Sequence, residues 1–471
     1  MNLSDAITTP APRTLWIELT SKCPFDCVFC TRRVRFGAGR HLDFSVFEQI
    51  ISELDQPDFI GLNYSGESIY YPRLLDALRL AGQTTALTEL VTAFSTISPS
   101  ILEGLVQCGL DRLAVSLHTM DAEEYQRIYR YGSLDGLKRR VDDLLNLKAR
   151  LGVQKPRLDF CFVAMSENLS QLAPVVEYAR SVGVAELSVH PIIGRHAVPY
   201  DFSRELRGQS LRDEFKASVR SAVENARQSH AAFAINVLNP DIDPDPRLSH
   251  TPGYYSPLLP ENARIHTCDQ SPFESVHILA TGDVVVCEVL DEVSLGNLHQ
   301  QSLREIWHSE RYRQFRQDYS LGKPAACKSC VWKQAYLPEP EQAAIDVAKG
   351  MSAQLLRGWH NYDGSAPLWG RRQAMLTLAN PSSRRRIRIV GVLPHVPGGN
   401  SVAVSCNDRN VAEICNDTSE FHFFDSVIKL PEAWPSLFVA MTVRNTYRPS
   451  LHSQSVDPRD LGMGLYRIEV C

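Results

Sequence analysis

The 471-residue chain has no uninterrupted apolar stretch approaching the roughly 18 residues that a membrane helix needs. Its opening, MNLSDAITTPAPR, is polar and contains proline, so it lacks the apolar core of a signal peptide. These absences predict a soluble, cytoplasmic protein with no membrane partner. A basic excess is missing too: 49 Lys and Arg against 54 Asp and Glu leave a net charge of −5, which provides no overall field for holding nucleic acid. Twelve cysteines are too few for a disulfide scaffold, and there is no internal repeat or low-complexity tract. With 44% apolar and 22% charged residues the composition is that of an ordinary globular protein, long enough for about three domains of ~150 residues each.

From Thr14 to about Ile193, short aliphatic runs alternate with longer amphipathic stretches, the pattern of βα units on a parallel sheet or barrel. Strands are expected at Leu15–Thr20, Phe59–Tyr64, Glu89–Ala93, Arg112–Leu117, Arg157–Met165 and Glu186–Ile192. Helices are expected at Ser45–Leu54 and Leu134–Ala149, the latter with its leucines and Val141 on one face. The fold class is therefore α/β, a partial barrel of six βα units over residues 1–238. Residues 239–264, rich in Pro, Asp and Tyr, read as a linker. A small cysteine-bearing α+β module follows at 265–345. Residues 351–471 carry short alternating runs between turn residues, which predicts an all-β sandwich.

Seven of the twelve cysteines are spaced as metal ligands. Cys23, Cys27 and Cys30 form C-x3-C-x2-C directly after the strand LWIELT, on the loop at the strand's C-terminal end, where barrel enzymes keep their chemistry. Three thiolates satisfy three irons of a four-iron cluster and leave the fourth open, whereas a structural zinc site wants a fourth protein ligand close by. Cys268, Cys287 (in Gly282-x4-Cys287), Cys327 and Cys330 supply four thiolates, enough to ligate one cluster completely, although four thiolates also suit zinc.

TSKCPFDCVFC and several later motifs resemble the radical S-adenosylmethionine (SAM) superfamily over about residues 14–340. The resemblance implies that the open iron binds SAM and that one electron splits it into methionine and a 5′-deoxyadenosyl radical. It also implies that Phe29 borders the adenine and that Ser65-Gly66-Glu67-Ser68 receives the methionine ammonium. Ser65 and Ser68 depart from the family's Gly-Gly-Glu-Pro there. Ser116 matches the residue that contacts the methionine carboxylate or ribose, and Asn168 closes a matching fifth-strand segment. The second cysteine set resembles the twitch module, a shortened SPASM domain with one auxiliary cluster. The implied cofactors are thus two 4Fe–4S clusters and SAM, and the implied partner is an electron donor such as flavodoxin or ferredoxin.

Strand alternation selects the residues that face the barrel lumen. With Leu158, Phe160 and Phe162 turned outward onto helices, Asp159 and Cys161 turn inward, and the same logic brings in Asn63, His118, Ser188 and His190. These polar groups suit a hydroxyl-rich substrate. The terminal segment resembles a β-sandwich found beside glycan-modifying enzymes; its Trp359, Tyr362 and Trp369 suit either a sandwich core or stacking on sugar rings, with the core reading ahead. The sequence therefore points to a radical SAM enzyme acting on a carbohydrate or a glycosylated natural product, such as an antibiotic. Cys161, claimed by neither cluster, favours an epimerase in which a thiol returns the hydrogen atom. The alternatives are a dehydrogenase that oxidises a sugar or aminocyclitol carbinol to a ketone, and a peptide-modifying enzyme. The last is disfavoured because only about thirteen residues, too few for a peptide-recognition domain, precede the first strand. A non-enzymatic iron–sulfur or carbohydrate-binding protein would leave Gly66, Glu67 and Ser116 without a task.

Overall fold

A computed structural model describes residues 11–192, 204, 206, 209–227, 233–237, 264–268, 270–330, 333–336, 342–350, 352, 354–356, 358–360, 365–407, 409–449 and 459–471. Seven strands follow one another in the first part of the chain: β1 (Thr14–Ile17), β2 (Phe59–Gly61), β3 (Leu87–Thr92), β4 (Arg112–Ser116), β5 (Arg157–Ala164), β6 (Glu186–Pro191) and β7 (Ala234–Val237). Each pairs in parallel with the next. Parallel neighbours require crossovers, and helices supply them, among them Phe44–Ser52, Leu74–Ala81, Pro99–Gln107 and Leu172–Ser181. The helix expected at Leu134 runs to Leu151. Ser133 caps its start by accepting the Gly136 N–H at 3.0 Å, Gly152 ends it in the left-handed region, and Leu137, Val141 and Leu144 are fully buried. The strands end earlier than their sequences suggest. Leu19, Leu62 and Tyr64 continue the apolar pattern, yet after a last bond from the Glu18 amide to the Ile278 carbonyl and from the Leu62 amide to the Glu89 carbonyl the chain leaves the ladder to form loops at the C-terminal edge of the sheet.

A hairpin of β9 (Ser275–Ile278) and β10 (Asp283–Val285), with β11 (Ser294–Asn297) beside it, extends this sheet on its other side. β9 lies parallel to β1, with Leu15 opposite Val276, and β10 runs antiparallel to β9. Gly282 makes the hairpin turn at φ +82°, where a Cβ would also lie 2.7 Å from the His299 ring. The segment expected to form a small separate module thus adds three strands to the barrel sheet, which has ten. β8 (Arg264–Cys268) and β12 (Lys333–Tyr336) make a separate antiparallel pair. The expected linker, 239–264, lies outside the described residues except for Arg264.

The chain divides into two compact units, one of Met1–Pro257, Gln270–Asp318 and Ser329–Val331, the other of Leu258–Asp269, Tyr319–Lys328 and Trp332–Cys471. In the second unit the antiparallel strands expected from the sequence form two sheets. β13 (Ala344–Asp346), β14 (Leu368–Trp369), β16 (Arg386–Leu393), β19 (His422–Lys429) and β21 (Gly464–Val470) make one. β15 (Gln373–Ala379), β17 (Asn400–Cys406), β18 (Arg409–Asn416) and β20 (Ser436–Val443) make the other. Alternate residues of both, such as Leu376, Ile389, Val404 and Ile468, share one core. Trp359 belongs to that core, fully buried with its indole N–H donated to the Met375 carbonyl at 2.8 Å, so it is not available to a sugar ring. Trp369 is half-buried against Phe421, and Tyr362 lies outside the described residues. Among the described residues no helix is long and apolar enough to cross a membrane.

Candidate active site

The loop after β1 carries Cys23, Cys27 and Cys30 and is pinned from three directions. The Asp26 and Val28 amides donate to the carbonyls of Tyr129 and Ile128 at 3.3 and 2.9 Å, at the end of the helix Ala122–Tyr129. Arg32, buried, donates to the carbonyls of Ser21 at 3.0 Å and Gly37 at 3.2 Å, tying both sides of the loop together. Cys23 and Cys27 are half-buried and Cys30 is exposed. The three thiols are close enough to disfavour one another's ionisation: Cys27, pushed up first by burial, is raised further by Cys30 and Cys23.

The loop after β2 packs onto this one. A Cβ on Gly66 would lie 2.1 Å from the Thr20 carbonyl oxygen, so the position admits no side chain. Glu67 follows, 4% exposed; one of its oxygens accepts the Ala93 amide at 2.8 Å, and burial pushes its pKa up to about 7. Ser65, where the family carries glycine, donates its hydroxyl to Glu18. Glu18 also accepts the Ala280 amide at 2.8 Å, which links the loop to the β9–β10 turn. Sequence reading passed over Glu18, although an acid inside the apolar run LWIELT was a visible signal. It passed over Asp291 as well, which had none. Asp291 is buried and takes the Tyr64 hydroxyl at 2.7 Å and an ion pair from Arg35, so residues flanking both loops meet at one carboxylate four positions after Cys287.

Register brings Ser116, Cys161 and Ser188 side by side on β4, β5 and β6. All three are half-buried, while Phe160 and Phe162 are fully buried and Phe160 stacks on Tyr178 of the helix Leu172–Ser181. Asn63 contributes a buried carbonyl oxygen with no hydrogen-bond partner among the described residues. His190 titrates at about 4, lowered by burial and then by Arg112. Three expected contacts are corrected. Asp159 shares the face of Cys161 but sits where the strands begin, fully buried and ion-paired with Arg112 and Arg157, which also reach Glu186; Glu89 joins through Arg112. His118 is enclosed by Phe29, Tyr129 and Phe162, and its Nδ1 accepts the Val163 amide at 3.1 Å, so it backs Phe29 and does not stand open in the lumen. Asn168 spends its amide on the backbone, accepting from Met165 at 2.7 Å and donating to the carbonyls of His118 and Val163, both at 3.0 Å.

Of the second cysteine set, Cys287 and Cys330 belong to the first compact unit, and Cys268 and Cys327 to the second. Cys287 is raised to about 12 by burial and next by Cys330, so these two thiols are neighbours.

Three crowded thiols, a glycine with no room for a Cβ and a buried carboxylate in need of a cation fit a cluster that leaves one iron for an amino-acid ligand. The comparisons agree. Residues 17–155 match the radical SAM superfamily, and residues 268–331 match SPASM, an iron–sulfur cluster-binding domain. The chain therefore carries a radical SAM domain and a SPASM-type cluster domain, and its cofactors are SAM and 4Fe–4S clusters, one of them auxiliary. Among curated proteins, the PqqA peptide cyclase of Gluconobacter oxydans is 23% identical over 337 residues, 70% of this chain and 85% of that one. The PqqA peptide cyclase of Ruegeria pomeroyi is 26% identical over 69% of this chain and 81% of its own. A tungsten-containing aldehyde ferredoxin oxidoreductase cofactor-modifying protein of Pyrococcus furiosus is 21% identical, covering 64% and 82%. The solved structure of Streptococcus suis SuiB bound to S-adenosylmethionine matches with a TM-score of 0.48 and 15% identity, over 65% of this chain and 68% of that one.

Proposed function

We propose that this enzyme takes a hydrogen atom from a peptide substrate. The observation that carries this reading is the similarity to two PqqA peptide cyclases over about seven-tenths of the chain. It weighs more than the carbohydrate expectation, which rests on polar lumen residues and on a resemblance of the terminal segment. In this reading Cys23, Cys27 and Cys30 hold the SAM cluster, Phe29 lies along the adenine with His118 behind it, and Ser116 meets the carboxylate or ribose of SAM. Gly66 and Glu67 receive the methionine ammonium, a pairing that would return the Glu67 carboxylate towards its ordinary range. When bound, these cofactors supply the 5′-deoxyadenosyl radical. Asn63, Cys161, Ser188 and His190 line the substrate side; Cys268, Cys287, Cys327 and Cys330 hold the auxiliary cluster.

The test uses deuterated material. Cells grown on deuterated medium are fractionated into peptides and carbohydrates, and each fraction is incubated with reconstituted enzyme and unlabelled SAM in ordinary water. Mass spectrometry should find deuterium in 5′-deoxyadenosine from the peptide fraction. Label arising from the carbohydrate fraction alone overturns the peptide reading.

A second reading is sustained by the half-buried Cys161 between Ser116 and Ser188. A thiol there suits return of a hydrogen atom to the substrate carbon, the epimerase outcome on a carbohydrate. Cys161→Ala would then still cleave SAM but yield no inverted product, and wild-type product made in deuterated water would carry one deuteron at the inverted carbon. A ketone without solvent deuterium favours a dehydrogenase instead.

A further inference from the structure

Two buried carboxylates join the cysteine loop, the Gly66-Glu67 loop and the strands that lead to Cys287. Glu18, just past β1, accepts the Ser65 amide at 3.3 Å and the Ala280 amide at 2.8 Å, one from the loop after β2 and one from the β9–β10 turn. Asp291 joins the same three segments a second time. Its enclosed side chain accepts the hydroxyl of Tyr64, the residue before Ser65, at 2.7 Å and pairs with Arg35 of the short helix Arg32–Phe36 that follows Cys30. The Tyr64 ring also meets His277 of β9 edge-on, with ring centroids 5.9 Å apart. Asp291 is in turn tied to Cys287 by consecutive turns. The Leu290 amide donates to the Cys287 carbonyl at 3.1 Å, and the Val293 amide donates to the Leu290 carbonyl at 3.1 Å. A shift of the Cys287 backbone therefore reaches the Asp291 carboxylate through hydrogen-bonded turns and not through slack chain. A buried carboxylate that left Tyr64 or Arg35 behind would be a buried charge short of partners, so the three move together.

We infer that Asp291 is a positioning residue through which the auxiliary cluster sets the affinity for SAM. With Cys287 held as a cluster ligand, the turn from Cys287 to Asp291 is fixed. Asp291 then fixes Tyr64 ahead of Ser65-Gly66-Glu67 and Arg35 after Cys30, and the SAM-binding loop keeps one arrangement against the cysteine loop. The inference rests on the reading that Cys268, Cys287, Cys327 and Cys330 hold the auxiliary cluster and that Gly66 and Glu67 receive SAM. The coupling is mechanical: no electron or proton passes and no bond is made or broken. It is also reciprocal, so SAM favours an occupied auxiliary site by the same factor.

The test is a cycle of full-length variants reconstituted anaerobically, with SAM affinity read by equilibrium dialysis and iron counted in each. Cys327→Ala with Cys330→Ala removes the auxiliary cluster but leaves Cys287 and its turns chemically intact. Iron should fall to about four per chain, and SAM affinity should fall about tenfold. Tyr64→Phe removes the bond to Asp291 while keeping the ring against His277 and every cysteine. With both clusters present, its SAM affinity should fall about fivefold. In the Tyr64→Phe background, removal of the auxiliary cluster should cost only about twofold more, because the link is already broken. Losses that multiply, to about fiftyfold together, would mean that Tyr64 supports the SAM site by itself and would overturn the inference. A wild-type SAM affinity that ignores the auxiliary cluster overturns it as well. Asp291→Asn addresses the hub directly and should abolish the dependence on the cluster; should that variant bind no iron because Arg35 has lost its carboxylate, the Tyr64→Phe cycle still decides. Iron that stays near eight after Cys327→Ala with Cys330→Ala counts instead against the reading beneath, in which the second cysteine set holds a cluster.

Discussion

Where the parallel strands begin, Arg112 reaches Glu89, Asp159 and Glu186, and Arg157 reaches the last two; where they end, Glu67 receives the Ala93 and Ile69 amides and the Thr92 hydroxyl, and the Asn63 carbonyl oxygen has no partner among the described residues. Both ends bury polar groups, but the first supplies most of its own counter-charges and the second does not. A buried ion network that closes on itself serves the fold. A buried carboxylate supplied with neutral donors is held ready for a cation that arrives from outside. The contrast separates Asp159 from Glu67, two buried acids in one barrel, and is the physical ground for proposing only the second as a partner of the methionine ammonium.

Removing the cysteine triad should have the largest effect. With Cys23, Cys27 and Cys30 all changed to Ala, iron should fall from about eight to about four per chain and SAM cleavage should cease, as the proposal that the two cysteine sets ligate separate clusters requires. Iron that stays near eight would mean that the triad holds no cluster of its own.

The floor is broken by Arg112→Met, which leaves three carboxylates short of their shared cation. Breaking such a network costs about 3–5 kcal/mol, which urea unfolding would report at pH 8. The loss should be smaller at pH 6, since a carboxylate that has lost its cation and is raised by burial takes up a proton more readily; burial already pushes Glu89 upward in the intact network. Equal losses at both pH values would show that packing, not charge, holds the floor.

Glu67→Gln sharpens the comparison from the other end. SAM affinity should drop about tenfold with iron content unchanged, since the proposed charged hydrogen bond to the methionine ammonium is lost but no iron ligand. Because the wild-type carboxyl titrates at about 7, SAM binding should strengthen as pH rises through that value, and the Gln variant should lose this dependence. Without SAM the sign reverses for stability. A carboxyl raised from 4.5 to about 7 in the folded state favours folding below its unfolded pKa, and that contribution disappears as pH rises through 7. The variant should therefore be the more stable form at pH 8. The smallest effect belongs to Ser65→Gly, which restores the family's residue and removes one hydrogen bond to Glu18, a change of about 1 kcal/mol in SAM binding by titration.

The sequence made the strand–helix alternation legible, along with the cysteine triad and Gly66-Glu67, because each is written in local spacing. It also showed that Asp159 faces inward, but alternation specifies a face and not a height, so it did not tell the floor from the mouth. His118 and Asn168 were misplaced for a related reason. Their partners are the Val163 and Met165 amides and aromatic rings from neighbouring elements, which no periodicity marks. The early ends of β1 and β2 escaped notice because apolar residues continue past the last ladder bond. The pairing of β9 with β1 escaped because a parallel partner hundreds of residues away leaves no local trace.

That pairing bears on how the chain is made. β1 lies between β2, which follows within about one βα unit, and β9; the Ala280 amide bonds Glu18 across 262 residues of sequence. During synthesis one side of β1 is thus an open strand edge until the ribosome has passed Ile278. Non-local pairing of this kind slows folding, and an unpaired apolar edge invites association with other chains. Nascent chains halted near residue 260 should therefore aggregate more readily than chains halted near 340, in which β9 has emerged and covered the edge.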